Sequence, residues 1–522
     1  MPGGLLNLVS YGNQNVILNG TPSKTFFKTT YSKYTNFGLQ KFRIDFSGLR
    51  SLRLTEESKF SFKVPRYADL LMETYFSINL PTVWSPIYES NGTYSPYEFR
   101  WIENLGVKMI KEVVISVGGQ TLQRMSGDYM LALVQRDFDD TKKEQYNRLI
   151  GNIAELNDPA NAGGRVGTYP NAKYNGATQG PEPSIRGRKL YIPLNAWFSL
   201  ASQMAFPLVS LQYNELQIEI VIRPVREMFT IIPPGINETH HVQPNFNETL
   251  QAMYRFLQPP PENGDYTDKR SGWNADPHLL CTYGFLSEEE VRVFAADEQK
   301  YLIKEVHEYN YENVTGSKRV LLNSMSMVSS YMWFFQRSDI NLRNQWSNYS
   351  NWEYMTPPNI IDSSANWVTP SIPNTSLFQI NNEKNIMLKW SLLLDGKFRE
   401  NPLDGDVLGL VEKYNSSDGF SPSGLYCYNF CLHTSPFDLQ PSGAMNMSKF
   451  NNVEFEFTTF APPLDPEAQT FAICDPVTGD ILGVNKPTWR IYNYNYDLTV
   501  MEERYNTVIF SSGNVGLMYA RS

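Results

Sequence analysis

The chain has 522 residues, 41% of them hydrophobic and 14% aromatic, with 19% charged and a net charge of −9. This length exceeds one ordinary hydrophobic core and points to two to four domains, and the acidic balance argues against a protein built to neutralise phosphates. Four cysteines form no disulfide framework, and no run approaches the ~18–20 apolar residues of a membrane-spanning helix.

Residues 1–23 read as an arm. Their apolar set, Leu5, Leu6, Leu8 and Val9, lacks the basic and continuous apolar regions of a secretory signal. Lys24, Lys28 and Lys33 read as a solvated strand edge. Alternation then sets in: Phe42, Ile44 and Phe46; Phe60, Phe62 and Val64; Val113, Ile115 and Val117, stopped by Gly118-Gly119. Ser126 is placed to cap a helical segment reaching Ile150, and the Gly-, Asn- and Pro-rich residues 157–188 read as a long loop. Leu216, Ile218, Ile220 and Ile222 form the next strand, ended by Pro224.

From 225 to 276 the chain is a poor strand former, with Pro233-Pro234 and Pro259-Pro260-Pro261, and reads as a connection between domains. Strands resume at Leu279–Phe285, Tyr301–Val306 and the apolar run Val320–Gln336. A loop over 337–383 precedes strands at 385–394, 425–431, 453–460 and 489–500. Gln440-Pro441-Ser442-Gly443 has the chemistry of a tight turn, and after it Val453, Phe455 and Phe457 alternate with Glu454, Glu456 and Thr458. A faint repeat links YNELQIEI (213–220) with FNNVEFEF (450–457). With similar strand and loop layouts on both sides of the Pro-rich stretch, it supports two copies of one all-β domain.

Residues with chemical potential are few. Cys427 and Cys431 share a strand face without a second pair, so the cysteines read as buried free thiols rather than zinc ligands. His240-His241 would diverge on an extended chain. His433 has Ser435 and Asp438 nearby in sequence only, and a triad needs spatial convergence. Glu288-Glu289-Glu290 reads as a solvated face, because no calcium-loop spacing surrounds it. No residue is assigned a catalytic, cofactor-binding or metal-ligating role. Among the Asn-x-Ser/Thr sequons, Asn91, Asn348 and Asn374 fall in long loops and are the candidate glycosylation sites on an outer surface. Trp346, Tyr349, Trp352 and Tyr354 form the candidate outer-surface contact loop, because Tyr and Trp anchor interfaces and stack on sugars.

Several words of the chain resemble the major capsid proteins of nucleocytoplasmic large DNA viruses. They are GGLLNLVSYGNQNVILNGTPSKTFFKTTYSKYTNF (3–37), RKLYIPLNAWFS (188–199) with FPLVSLQYNELQIEI (206–220), SEEEVRVFAADEQKYLIKEV (287–306), SGLYCYNFCLHTSPFDLQPSGAMNMSKFNNVEF (423–455) and YNTVIFSSGNVGLMYA (505–520). Phe437-Asp438-Leu439 departs from the variable polar residues expected before the turn. The resemblance implies an all-β double jelly roll, two eight-stranded barrels side by side with long loops and a few short helices. The expected division is an arm at 1–23, a first barrel at 24–224, a connection at 225–276, a second barrel at 277–505 and a tail at 506–522. The implied function is structural and not enzymatic, with no cofactor. The chain would form a homotrimeric, pseudo-hexagonal capsomer that tiles the icosahedral shell of the virion and assembles in the host cytoplasm. Its implied partners are its own copies, minor capsid and penton proteins and, by proximity, an internal viral membrane; direct nucleic acid binding is not expected. The alternative is a carbohydrate-binding or carbohydrate-cleaving jelly roll, which would need paired carboxylates in a cleft.

Overall fold

The alternating apolar runs fold as strands. The computed structural model describes residues 2–90, 93–172, 181–233, 240–262, 265–355, 383–464, 471–485 and 492–519. The first eight principal strands are β1 (Gly38–Asp45), β2 (Ser58–Val64), β3 (Leu70–Leu80), β4 (Ile110–Val117), β5 (Gln120–Ser126), β6 (Arg188–Pro193), β7 (Leu216–Ile222) and β8 (His278–Phe285). They pair antiparallel in two sheets, β1-β8-β3-β6 and β2-β7-β4-β5. In the second sheet Ile218 lies between Phe62 and Ile115, all three fully buried, while Glu219 and Gln217 point the other way. Two facing sheets in this order form an eight-stranded jelly roll.

The next eight strands repeat the plan. They are β9 (Gln299–Tyr311), β10 (Ser317–Leu322), β11 (Met327–Arg337), β12 (Met387–Leu394), β13 (Lys397–Asp404), β14 (Leu425–Asn429), β15 (Val453–Thr459) and β16 (Tyr496–Ser511). Their sheets run β9-β16-β11-β14 and β10-β15-β12-β13, the first barrel's order shifted by eight. The two halves of the faint sequence repeat fall on β7 and β15, which hold the same place in their barrels. On β15 the expected alternation holds, with Val453, Phe455 and Phe457 inside.

This pairing corrects the expected domain limits. The stretch 225–276 does not link the barrels; it is the long connection between β7 and β8 of the first barrel. β8 closes that barrel by pairing with β1 (Phe42 opposite Cys281) and with β3 (Leu279 opposite Phe76). The true link is 286–298, mostly helix α3 (Glu288–Ala296), which Ser287 caps; its three glutamates occupy the first turn. At the other end, residues 506–511 are not tail but the last part of β16, and Asn514–Leu517 pairs back onto it. Strand structure begins at Gly38, so Lys24, Lys28 and Lys33 lie on an exposed extended arm and not on a strand edge.

Local chemistry explains the turns and helices. Two-residue hairpins join β4 to β5 and β12 to β13, through Gly118-Gly119 (φ +58° and +85°) and Asp395-Gly396 (φ +49° and +76°). Both central residues need positive φ so that the turn follows the strand twist. The helical segment after β5 splits in two: helix α1 (Gly127–Asp137), where the Ser126 hydroxyl accepts from Tyr129 N at 3.0 Å, and helix α2 (Asp140–Ile150), capped by Asp139. The break falls at Phe138, whose extended backbone starts a new cap. Residues 440–443 do not close on themselves. Ser442 Oγ accepts from His433 N and donates to His433 O, both at 3.0 Å, so the segment lies along residues 431–433.

In each barrel one end carries tight connections, 65–69 and 118–119 in the first and 395–396 in the second, and the other carries the longest ones, 81–109 and 127–187 in the first and 338–386 in the second.

Candidate functional site

A jelly roll needs one buried face per sheet, yet β11 and β16 are buried on both. Tyr331, Trp333 and Phe335 of β11 and Tyr496, Leu498 and Val500 of β16 fill the second barrel, with Trp333 stacked on Trp390 at 4.9 Å. The alternate residues Met332, Phe334 and Met501, together with Val508 and Phe510 farther along β16, belong to the core of the first barrel. The apolar run expected as one strand at 320–336 divides at 323–326 between β10 and β11, and its β11 part, Tyr331–Phe335, reflects this double burial. Phe510 packs edge-on against Phe206 at 5.0 Å, and Tyr301 lies 5.6 Å from Trp197, so aromatic side chains cross the seam.

At its centre the seam holds charge. Arg136, near the end of α1, is fully buried; it donates to Asp137 (2.7 and 2.9 Å), to Glu503 of β16 (2.9 and 3.1 Å) and to Ser330 of β11 (3.2 Å). Hydroxyls complete both carboxylates: Tyr129 (2.9 Å) and Ser330 (2.6 Å) donate to Glu503, and Thr434 (2.6 Å) to Asp137. Burial works to raise both acids. The Arg136 guanidinium overcomes it at Glu503, which lies below the ordinary range, while Asp137 stays above it. One cation serves two buried acids, so the cluster is held by geometry and leaves no partner to spare.

A second crossing uses the loop after β11. Lys108 of the first barrel is buried, pairs with Asp128, and donates to the Tyr349 hydroxyl at 3.0 Å. Trp346 Nε1 donates to Glu227 O (2.9 Å) with the Arg223 guanidinium 4.4 Å from its ring, and Asn344 donates to Arg226 O and Phe229 O, both at 2.8 Å. Tyr354 stacks on His240 at 4.9 Å, and Trp352 is half-buried with Lys384 above it. The candidate outer contact loop is therefore corrected: Tyr349 is buried, Trp346 and Tyr354 are turned onto the first barrel, and the loop clasps one barrel to the other. Asn348 is corrected with it. It is 2% exposed, donating to Trp352 O (2.9 Å) and accepting from Ser350 N (3.0 Å) and Oγ (2.7 Å), so no glycan can reach its amide. Asn91 and Asn374 lie outside the described residues.

A polar cleft of about 610 Å³ opens along the same seam, lined by Glu112, Arg124, Asp128, Arg223, Glu308 and Arg504 among others. Its acids are engaged in structure. Burial pushes the Glu308 carboxyl up to about 7, and it accepts from the Ser126 backbone N–H at 3.1 Å, the capping residue of α1. His241 lies 3.5 Å from Glu98, and His433 serves the 440–443 segment. Cys281, Cys427 and Cys431 are buried, and Cys474 is exposed. Burial pushes the Cys281 thiol up to about 12 and Cys427 up to about 11. Among the described residues no group of His, Cys, Asp or Glu has the arrangement of a metal site.

The seam residues escape a reading for catalytic motifs, because Arg136 and Glu503 are 367 positions apart. Their signal is charge inside apolar elements: Arg136-Asp137 after Leu131–Val134, and Glu502-Glu503 between Met501 and Tyr505.

Comparison with known proteins agrees with this architecture. Residues 25–254 match the family described as "Major capsid protein N-terminus", and residues 290–516 the one described as "Large eukaryotic DNA virus major capsid protein". The major capsid protein of Phaeocystis pouchetii virus is 24% identical, and that of Paramecium bursaria Chlorella virus 1 is 25% identical, each alignment covering 100% of both chains. Among solved structures, the PBCV-1 virus capsid superposes with a TM-score of 0.63 at 19% identity (95% of this chain, 100% of that one). The Faustovirus major capsid protein gives 0.62 at 14% identity (94% and 93%). With two barrels of one strand order and both halves matched, the chain belongs to the family of large eukaryotic DNA virus major capsid proteins, and its fold is the double jelly roll.

Proposed function

We propose that three copies of this chain form a homotrimeric capsomer of pseudo-hexagonal outline, which tiles the flat facets of an icosahedral shell. The observation that carries this reading is the repetition of one strand order in two barrels joined by a shared core. Such a chain supplies two nearly equivalent sides, and three chains supply six. The work is geometric and needs no catalyst. Large contacts hold the trimer, while smaller and wetter ones join trimers to one another and to minor capsid and penton proteins. Assembly proceeds in the host cytoplasm, beside an internal viral membrane. Asn91 and Asn374, in the long connections after β3 and β11, are the glycan-bearing candidates of the outer surface. Electron micrographs of the purified protein test the reading: pseudo-hexagonal particles that associate into flat arrays are expected, and a field of isolated single chains would refute it.

A further inference from the structure

The chain contains a second repeat, and only one of its copies is covered. Leu131-Ala132-Leu133-Val134-Gln135-Arg136 and Leu408-Gly409-Leu410-Val411-Glu412-Lys413 share three identical and three similar residues. They hold the same place in the fold: the first begins five residues after β5 ends at Ser126, the second four after β13 ends at Asp404. In the first barrel the word lies on α1 and is pressed against the second barrel. Leu133 (3% exposed) lines the seam with Leu302, Ile303 and Glu503, and Val134 is 2% exposed. In the second barrel the word runs through a wide helical turn, Val407–Val411, into the short helix α4 (Glu412–Ser416). There Leu410 is 60% exposed and Val411 51%. Together with Tyr414 (89%) and Phe420 (76%) they border a concavity of about 700 Å³.

The contact that buries the first copy has a counterpart. Within the chain α1 sits on the outer face of sheet β9-β16-β11-β14. The equivalent sheet of the first barrel is β1-β8-β3-β6. On its outer face Leu39 is 54% exposed, and Lys41 and Lys189 are exposed. The concavity has the opposite charge on its rim, from Asp139, Asp140 and Asp418. We infer that the segment 407–420 of one copy docks on the outer face of sheet β1-β8-β3-β6 of a second copy, with Leu410, Val411 and Tyr414 as anchors, repeating between chains the contact that α1 makes within the chain. Such an interface is heterologous, joining different patches on the two copies, and it closes only as a ring. Apolar anchors ringed by complementary charge give it both affinity and register.

The inference rests on the trimer reading, and the experiment separates the two. Two variants, Leu410→Asp with Tyr414→Asp, and Leu39→Asp alone, are compared with Val477→Asp, a 90% exposed apolar control, by sedimentation at micromolar concentration, with circular dichroism confirming the fold. In parallel, benzoylphenylalanine at position 414 is photolysed in a mixture of isotopically light and heavy chains, and the linked peptides are mapped. The inference expects loss of the trimer in both interface variants, an intact trimer in the control, and light–heavy links from position 414 to residues 38–45, 70–80, 188–193 or 278–285. A trimer that survives both substitutions, or links that map elsewhere, overturns this interface while the trimer reading stands. A wild-type monomer overturns the trimer reading itself.

Discussion

Replacing Arg136 by Met keeps most of the side-chain volume and removes the one cation that serves two buried acids. Asp137 and Glu503 then face each other across the seam with only the hydroxyls of Thr434, Tyr129 and Ser330 as donors. Removing one partner of a buried ion pair costs about 3–5 kcal/mol, because the charge left behind has lost its solvent and its counter-ion. That cost falls on the contact between barrels, since α1 belongs to the first and β11 and β16 to the second. At about 1.4 kcal/mol per tenfold, it should speed native-state hydrogen exchange of the α1 and β16 amides roughly 150- to 4,000-fold. The interior of the second barrel, around Trp333 and Trp390, should change far less. A triple variant, Arg136→Met with Asp137→Asn and Glu503→Gln, removes every charge and should recover most of the loss. Exchange in the single variant within fivefold of wild type would refute the reasoning. So would a triple variant as damaged as the single one, which would assign the effect to packing and not to charge.

Three further outcomes are expected. Glu502 is fully buried in the second barrel, and burial pushes its carboxyl up to about 7, above the 4.5 of the free group. Its contribution to stability is complete below pH 4.5 and is lost as the pH rises through 7, by about 3 kcal/mol in all. Denaturant titrations from pH 4 to pH 8 should show that fall, and Glu502→Gln should remove its share and leave the one that Glu308 contributes. Cys474 should react with a thiol reagent at pH 7.5 while Cys281, Cys427 and Cys431 stay silent until the protein unfolds; two fast thiols would contradict the burial described. The peptide containing Asn348 should carry no glycan in the mass spectrum of virion protein, and Asn348→Ala should cost about 1–3 kcal/mol, because it strands Ser350 and Trp352 backbone groups that its amide satisfies.

Period-two alternation located β1, β2, β4, β7 and β15, because one buried face per strand writes itself into the sequence as Phe60, Phe62, Val64 or Val453, Phe455, Phe457. Gly118-Gly119 marked its hairpin for the same local reason. The limits of the first barrel were not legible. β8 lies 56 residues beyond the end of β7 and pairs with β1 and β3, and nothing in a Pro-rich stretch says whether it leaves a domain or returns to it. The aromatic loop misled in a similar way. Tryptophan and tyrosine mark a buried contact, but composition does not say with what, and Trp346 and Tyr349 found the chain's own first barrel. The charged seam depends on residues hundreds of positions apart, and its trace is polar groups where the apolar pattern leaves no room for them.

The central claim, that this double jelly roll is built to be one third of a closed ring, is tested most directly by its mass in solution. Three chains of 59.9 kDa give about 180 kDa. Sedimentation velocity from about 0.5 to 50 μM at 0.15 M salt should show a single species at that mass, unchanged by moderate salt, because large apolar contacts are not screened. A well-folded species of 59.9 kDa across that range would contradict it.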